Sequence, residues 1–179
     1  MNLTTLTAIA SQVDEKTFLE RFPDPMLLVR KKPADPEILG SSPEHDLDWR
    51  GRTKQGAFAT QSGSARPKLT LTSVEPLLKS TRNPFADMIT VGRAPNNDVC
   101  LAVASVSKLH AYFQRDGAKW ILRDSNSANG TFVNGSRLEA GKATPLDDGS
   151  LLAFGPDTEC LFKTPMGLYG YLGQLARNG

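Results

Sequence analysis

At 179 residues the chain has room for one domain with a substantial core plus an appendage, since domains centre on about 100 to 150 residues. Charged residues make up 22% and apolar ones 39%, with a formal net charge of +2, a composition that excludes a low-complexity chain or a basic nucleic-acid tail. Divided after Thr90, the charge is 12 basic against 11 acidic residues and then 9 against 8, so neither half is a basic arm and any anion binding has to come from a local arrangement.

From Leu6 to Phe22 the apolar residues Leu6, Ile9, Val13, Phe18 and Phe22 fall mostly three to five apart, which predicts a short amphipathic helix, with Asp14-Glu15-Lys16 as a helix-start region. Pro23-Asp24-Pro25 stops it, and Met26-Leu27-Leu28-Val29 follows as an extended apolar piece. The N-terminus carries no basic leader and no apolar run of signal-peptide length, and nowhere do 18 apolar residues follow one another, so the expected location is the cytoplasm, with no membrane partner. Between Lys31 and Lys68 the chain is rich in Pro, Ser, Gly and charge and reads as a loop or flexible linker, His45 included, because too few apolar residues offset the entropy of ordering it.

After Pro67 the texture changes to short runs (LTLTSV, MITVG, DVCL, HAYFQ, KWILRD, TFVNG, SLLAFG, ECLFK) separated by turn residues, the pattern of an all-β sandwich or barrel. Asp116-Gly117 is placed to turn a hairpin from HAYFQR into KWILRD, and Asp148-Gly149 to turn another into SLLAFG. Leu168, Tyr171, Leu172 and Leu175 recur at helical spacing and predict a closing helix packed on the sandwich. Cys100 and Cys160, the only cysteines, sit among apolar neighbours and read as two small buried thiols in a reducing compartment rather than a disulfide framework.

The loops between these runs carry a spaced set of polar residues: Gly92-Arg93, Asn97-Asp98, Ser107-Lys108-Leu109-His110, Asn129-Gly130-Thr131 and Asn134-Gly135. An Arg just after a strand and a Gly can project a planar guanidinium that grips a phosphate through two parallel charged hydrogen bonds. The Ser107 hydroxyl, with its own backbone N–H, can donate to the same oxygens from a second loop. The order GR, NDV, SKLHA, SANGTFVNG resembles the forkhead-associated (FHA) family over about Leu69 to Lys163. That resemblance implies an FHA-type β-sandwich of about 10 to 11 strands that binds phosphothreonine in a partner protein. It assigns phosphopeptide binding to Arg93, Ser107, Lys108, Asn129 and Thr131, and structural support of the site to Gly92, Asp98, His110, Gly130, Asn134 and Gly135.

Each residue also has a plainer reading. Lys108 stands where relatives have a contact residue and is equally a solvated Lys; Asn129 is either a peptide-backbone partner or a turn residue that tolerates positive φ, and the two are compatible. Ala128 departs from relatives that carry a hydroxyl there, which removes one phosphate donor. No GxxxxGK[ST], HExxH, GxSxG or CxxC pattern occurs, so the expectation is a binding module and not an enzyme, with no cofactor and no metal.

The expected organisation is an N-terminal extension over 1–67, the FHA domain over 68–165 and a C-terminal helix or tail over 166–179. The expected partner is a phosphothreonine-containing protein, a Ser/Thr kinase or its substrate, with no nucleic acid. The competing reading is a phosphate-independent interaction or scaffold domain, or an accessory subunit docked through residues 1–67. Thr4, Thr5 and Thr7 add a self-inhibition hypothesis, in which a phosphorylated N-terminal tail reaches the site through the linker.

Overall fold

The run Met26-Leu27-Leu28-Val29 decides where the N-terminal segment belongs. In the computed structural model, which describes residues 2–31 and 70–178, it forms strand β1 (Met26–Lys31). β1 pairs antiparallel with β2 (Thr70–Pro76) on one side and with β11 (Thr158–Lys163) on the other. Leu27 and Val29 point into one buried cluster and Met26 and Leu28 into another. A strand covered on both faces needs a continuous apolar run, not alternation, and this run supplies it. β1 is an interior strand of the main sheet, between β2 and β11, so residues 2–31 pack in the same fold as the strands that follow residue 69. The predicted linker, with His45, lies outside the described residues.

The described residues form two sheets. The first has six strands in the order β2-β1-β11-β10-β7-β8, with β7 Thr131–Val133, β8 Ser136–Arg137 and β10 Leu151–Phe154. The second has five, β4-β3-β5-β6-β9, with β3 Ile89–Gly92, β4 Val99–Cys100, β5 Ala111–Asp116, β6 Lys119–Asp124 and β9 Thr144–Leu146. Between them lies a core that includes Leu27, Val29, Val91, Phe113, Leu122, Leu152, Phe154 and Phe162, with Phe113 and Phe162 stacked across the gap at 6.5 Å. This is the all-β sandwich expected from the strand texture.

Three helices cover the outer face of the six-stranded sheet. The single predicted N-terminal helix is two: α1 (Leu3–Gln12) and α2 (Glu15–Arg21), because Asp14 leaves the helix and caps the second one, accepting a hydrogen bond from the Thr17 N–H at 2.8 Å. Leu6, Ala10 and Phe18 join Leu168 and Leu172 of α3 (Pro165–Asn178) over Met26, Leu28 and Val74. Thr4, Thr5 and Thr7 lie inside α1, with the Thr5 N–H bonded to Asn2 Oδ1 and the Thr7 hydroxyl bonded to the Leu3 carbonyl. They are on a packed helix and not on a free tail, so an extended presentation of these threonines requires α1 to unwind.

The turns confirm one expected hairpin and correct another. Asp116-Gly117 joins β5 to β6, which pair residue by residue. Asp148-Gly149 instead carries the chain from β9 in one sheet to β10 in the other, since β9 pairs with β6. Asn134-Gly135, both at positive φ (50° and 83°), makes the tight turn between β7 and β8. Cys100 and Cys160 are free thiols in different sheets.

Candidate functional site

Three loops meet at one end of the sandwich: β3–β4 with Arg93, β4–β5 with Ser105 to His110, and β6–β7 with Ser125 to Gly130. Their backbones are tied to one another. The Arg93 N–H donates to the Ser107 carbonyl at 2.8 Å and the Ala94 N–H to the Lys108 carbonyl at 3.2 Å. Buried Asn97 donates to both the Ala94 and Lys108 carbonyls, at 2.8 and 2.6 Å. This close approach explains Gly92: a Cβ there would stand 2.2 Å from the Lys108 carbonyl oxygen, so any side chain would push the two loops apart.

His110 is the joint beneath them. It is buried, its Nδ1 accepts the Ser107 N–H at 3.0 Å, and its Nε2 therefore carries the proton and donates to the Gly130 carbonyl at 3.1 Å. The imidazole links the second loop to the third. Burial pushes its pKa below the ordinary 6.5, against the upward pull of the Gly130 hydrogen bond and the Asp124 charge. At a pH between that lowered value and 6.5 the unfolded chain binds more protons than the folded one. Its contribution to stability is thus complete above 6.5 and falls as the pH drops through that value. The melting temperature is expected to fall from about pH 7.5 to about pH 5.5, and a His110→Gln variant to start lower and lose that slope; a flat wild-type profile contradicts this assignment.

The third loop is held by a residue that the motifs do not single out. Asp124 ends β6 and is buried; its carboxylate accepts from the Ser127 N–H at 3.0 Å and from the Ser127 and Thr131 hydroxyls, each at 2.6 Å. Burial alone would raise its pKa, but the Ser127 and Thr131 hydrogen bonds outweigh it and hold the group ionised. The Asp-x-x-Ser spacing of an Asx-type turn is the signal in the sequence that points to it. Thr131, which the resemblance assigns to the peptide contacts, is fully buried and its hydroxyl donates inward to Asp124, so its side chain faces the loop's interior and not the rim. Asn134 is also a brace, its Oδ1 accepting the Leu151 N–H at 2.9 Å.

Asp98 braces a different segment. Its carboxylate accepts from Ser80, Asn83 and Thr90 and pairs with Lys79 at 2.9 Å, pinning the stretch before β3. Burial would raise its pKa; the hydrogen bonds from Ser80, Thr90, Lys79 and Asn83 prevail and lower it strongly.

The groups left facing outward are cationic or donating. Arg93 is exposed, with Nε on the Val106 carbonyl at 3.1 Å and both Nη groups unpaired among the described residues. Ser107 Oγ accepts the Ala128 N–H at 3.0 Å, which leaves its own proton to donate. The expectation that the Ser107 N–H also reaches a ligand is corrected, because His110 takes it. The Lys108 ammonium is exposed and unpaired among the described residues. Asn129 spends one N–H on the Ser105 carbonyl at 2.7 Å and keeps its Oδ1 and second N–H. Arg137, also exposed and not singled out by any motif, lies over Gly130: a Cβ on Gly130 would fall 2.6 Å from the Arg137 Nε.

Residues 89–155, which span all of these loops, match the family model described as FHA domain. This segment is an FHA domain. Among curated proteins, the chain is 31% identical over 74 residues to an FHA domain-containing protein of Arabidopsis thaliana, covering 41% of this chain and 19% of that protein. It is 32% identical over 80 residues to the transcriptional regulatory protein EmbR of Mycobacterium tuberculosis, covering 45% and 20%. The chain thus spans about a fifth of the length of these relatives. Among solved structures, EmbR in complex with a low affinity phosphopeptide aligns at 29% identity over 51% of this chain and 22% of that one, with a TM-score of 0.43. Among the described residues, no helix is long and apolar enough to cross a membrane.

Proposed function

We propose that this FHA domain binds phosphothreonine in partner proteins and that the chain acts as an adaptor in Ser/Thr kinase signalling, not as an enzyme. The observation that carries the reading is the convergence of the unpaired Arg93 Nη groups, the Ser107 hydroxyl proton and the Lys108 ammonium on one rim. Phosphate adds about −1.5 to −2 charge and three acceptor oxygens to a neutral hydroxyl, and clusters of basic donors are the usual means of reading it. The loops are already knitted by hydrogen bonds, so little ordering is left to oppose binding.

In this mechanism Arg93 takes two phosphate oxygens side by side, Ser107 donates a third hydrogen bond, and Lys108 contributes as a point charge. Asn129 Oδ1 and its free N–H meet the extended peptide backbone, and Arg137 extends the positive rim. Ala128 offers no hydroxyl, and its N–H is used to orient Ser107. The partner is a Ser/Thr kinase or a kinase substrate, met in the cytoplasm, where Cys100 and Cys160 stay reduced.

Calorimetric titration of the full chain with a phosphothreonine peptide pool, beside the same pool after phosphatase treatment, tests the reading. Binding confined to the phosphorylated pool is expected; equal binding to both pools makes the domain a phosphate-independent scaffold.

A further inference from the structure

The helical layer has one weak member. α3 holds three glycines, Gly167, Gly170 and Gly173, where α1 and α2 hold none. Glycine is the poorest helix former after proline, because it gives up the most backbone freedom on becoming helical. At Gly167 packing requires it: a Cβ there would collide with the Asp148 carboxylate, 1.9 Å from Oδ1. At Gly170 and Gly173 packing does not. A Cβ at either position would have no neighbour within 4 Å, so alanine fits at both, and these two glycines weaken the helix without a close approach that calls for them.

What holds α3 in place is concentrated in its first half. One residue, Thr164, separates β11 from α3, and Asp148, on the connection from β9 to β10, closes on that joint. The Asp148 carboxylate accepts the Thr164 N–H at 2.8 Å and the Thr164 hydroxyl at 3.0 Å, and pairs with Lys163 at 2.5 Å. Thr164 in turn caps the helix, its Oγ accepting the Gly167 N–H at 3.1 Å, with Pro165 in the first helical position. Past this clasp the docking is carried by Leu168 and Leu172, both fully buried, by the Tyr169 hydroxyl on the Val13 carbonyl at 3.2 Å, and by the Tyr169 ring 5.2 Å from that of Phe18. After Leu172 no described side chain of α3 is buried.

We propose that α3 opens as a unit of its own, unwinding from its C-terminal end back to the Asp148 clasp while both sheets stay folded. Segments with few buried contacts and poor intrinsic propensity are those that open below the free energy of global unfolding. The opening separates Leu168 and Leu172 from Leu6, Ala10 and Phe18, with which they share one apolar cluster, and so bares a surface on α1 and α2 that the closed form hides. The inference does not rest on the phosphothreonine reading, since neither Asp148 nor α3 belongs to the three-loop rim.

Native-state hydrogen exchange of the full chain at low urea concentrations tests it. The amides from Tyr171 to Leu175 are expected to exchange faster than those of β5 and β6 by roughly tenfold or more, and with a shallower dependence on urea, because a local opening exposes less surface than global unfolding. Gly170→Ala combined with Gly173→Ala is expected to slow the α3 amides by roughly twentyfold. Leu122→Ala, in the core between the sheets, is expected to speed exchange in β5 and β6 and leave α3 unchanged. One rate and one urea slope shared by α3, β5 and β6 in the wild type overturns the proposal, as does an α3 that speeds up with the strands in Leu122→Ala or keeps its wild-type rate in the double alanine variant. The wild-type slopes and the alanine variant decide the matter even where Leu122→Ala does not fold.

Discussion

Arg93→Ala is expected to weaken binding of a phosphothreonine peptide by at least about 100-fold while the melting temperature stays within a few degrees of wild type. Charged hydrogen bonds contribute roughly 1.5 to 3 kcal/mol each, and losing two of them at the lower figure is about 3 kcal/mol, or two decades in Kd. Micromolar binding is only about −8 kcal/mol in total, so the variant falls to the edge of detection. The fold is spared because the Arg93 side chain is exposed and makes a single hydrogen bond among the described residues, to the Val106 carbonyl, while the backbone bond from its N–H to Ser107 remains. Titration of both proteins with one peptide, beside their thermal melts, reads the two effects separately. Binding within threefold of wild type would remove Arg93 from the phosphate contact.

The second large effect concerns the fold. Deleting residues 1–31 is expected to leave the remainder unfolded or aggregated, with loss of cooperative melting. Met26, Leu27, Leu28 and Val29 of β1 are all buried, at 4% exposure or less. At about 1.5 to 3 kcal/mol per buried apolar side chain, these four alone contribute roughly 6 to 12 kcal/mol, comparable to the whole 5 to 15 kcal/mol stability of a typical domain. The deletion also strips β11 of one neighbour and β2 of its only one among the described residues, and uncovers Leu168 and Leu172 on α3. Circular dichroism and thermal melting of the truncated protein check this. A cooperatively folded 32–179 fragment would show that the sandwich stands without β1.

How much of this is legible in the sequence depends on how local each determinant is. The three loops at the end of the sandwich are readable because their residues are written in contiguous motifs: Gly92-Arg93, Ser107 to His110, and Asn129-Gly130 each fold within a few residues, and the loops they form are those that meet. The hairpin at Asp116-Gly117 and the turn at Asn134-Gly135 follow from the same local logic. Pairing over distance is another matter. Met26 to Val29 reads as extended and apolar, yet nothing local says that its partner is β11, more than 120 residues on. Asp148-Gly149 has hairpin chemistry, but the sheet that each flanking strand joins is settled by the packing of the two sheets. The inward turn of Thr131 depends on Asp124, and the use of the Ser107 N–H depends on where His110 lies once buried. In both cases a donor expected to face outward is taken by an internal acceptor, the usual outcome when a polar group is buried beside an unpaired partner.

The central claim is that the three-loop rim holds a phosphothreonine, and amide chemical-shift mapping of the isotope-labelled full chain tests it most directly. On addition of a phosphothreonine peptide, the account predicts shifts concentrated at Arg93 and Ala94, Ser105 to Leu109, and Ser127 to Asn129, with none from the unphosphorylated peptide. Shifts centred on the helical layer around α1 and α3, or the same shifts from both peptides, would contradict it.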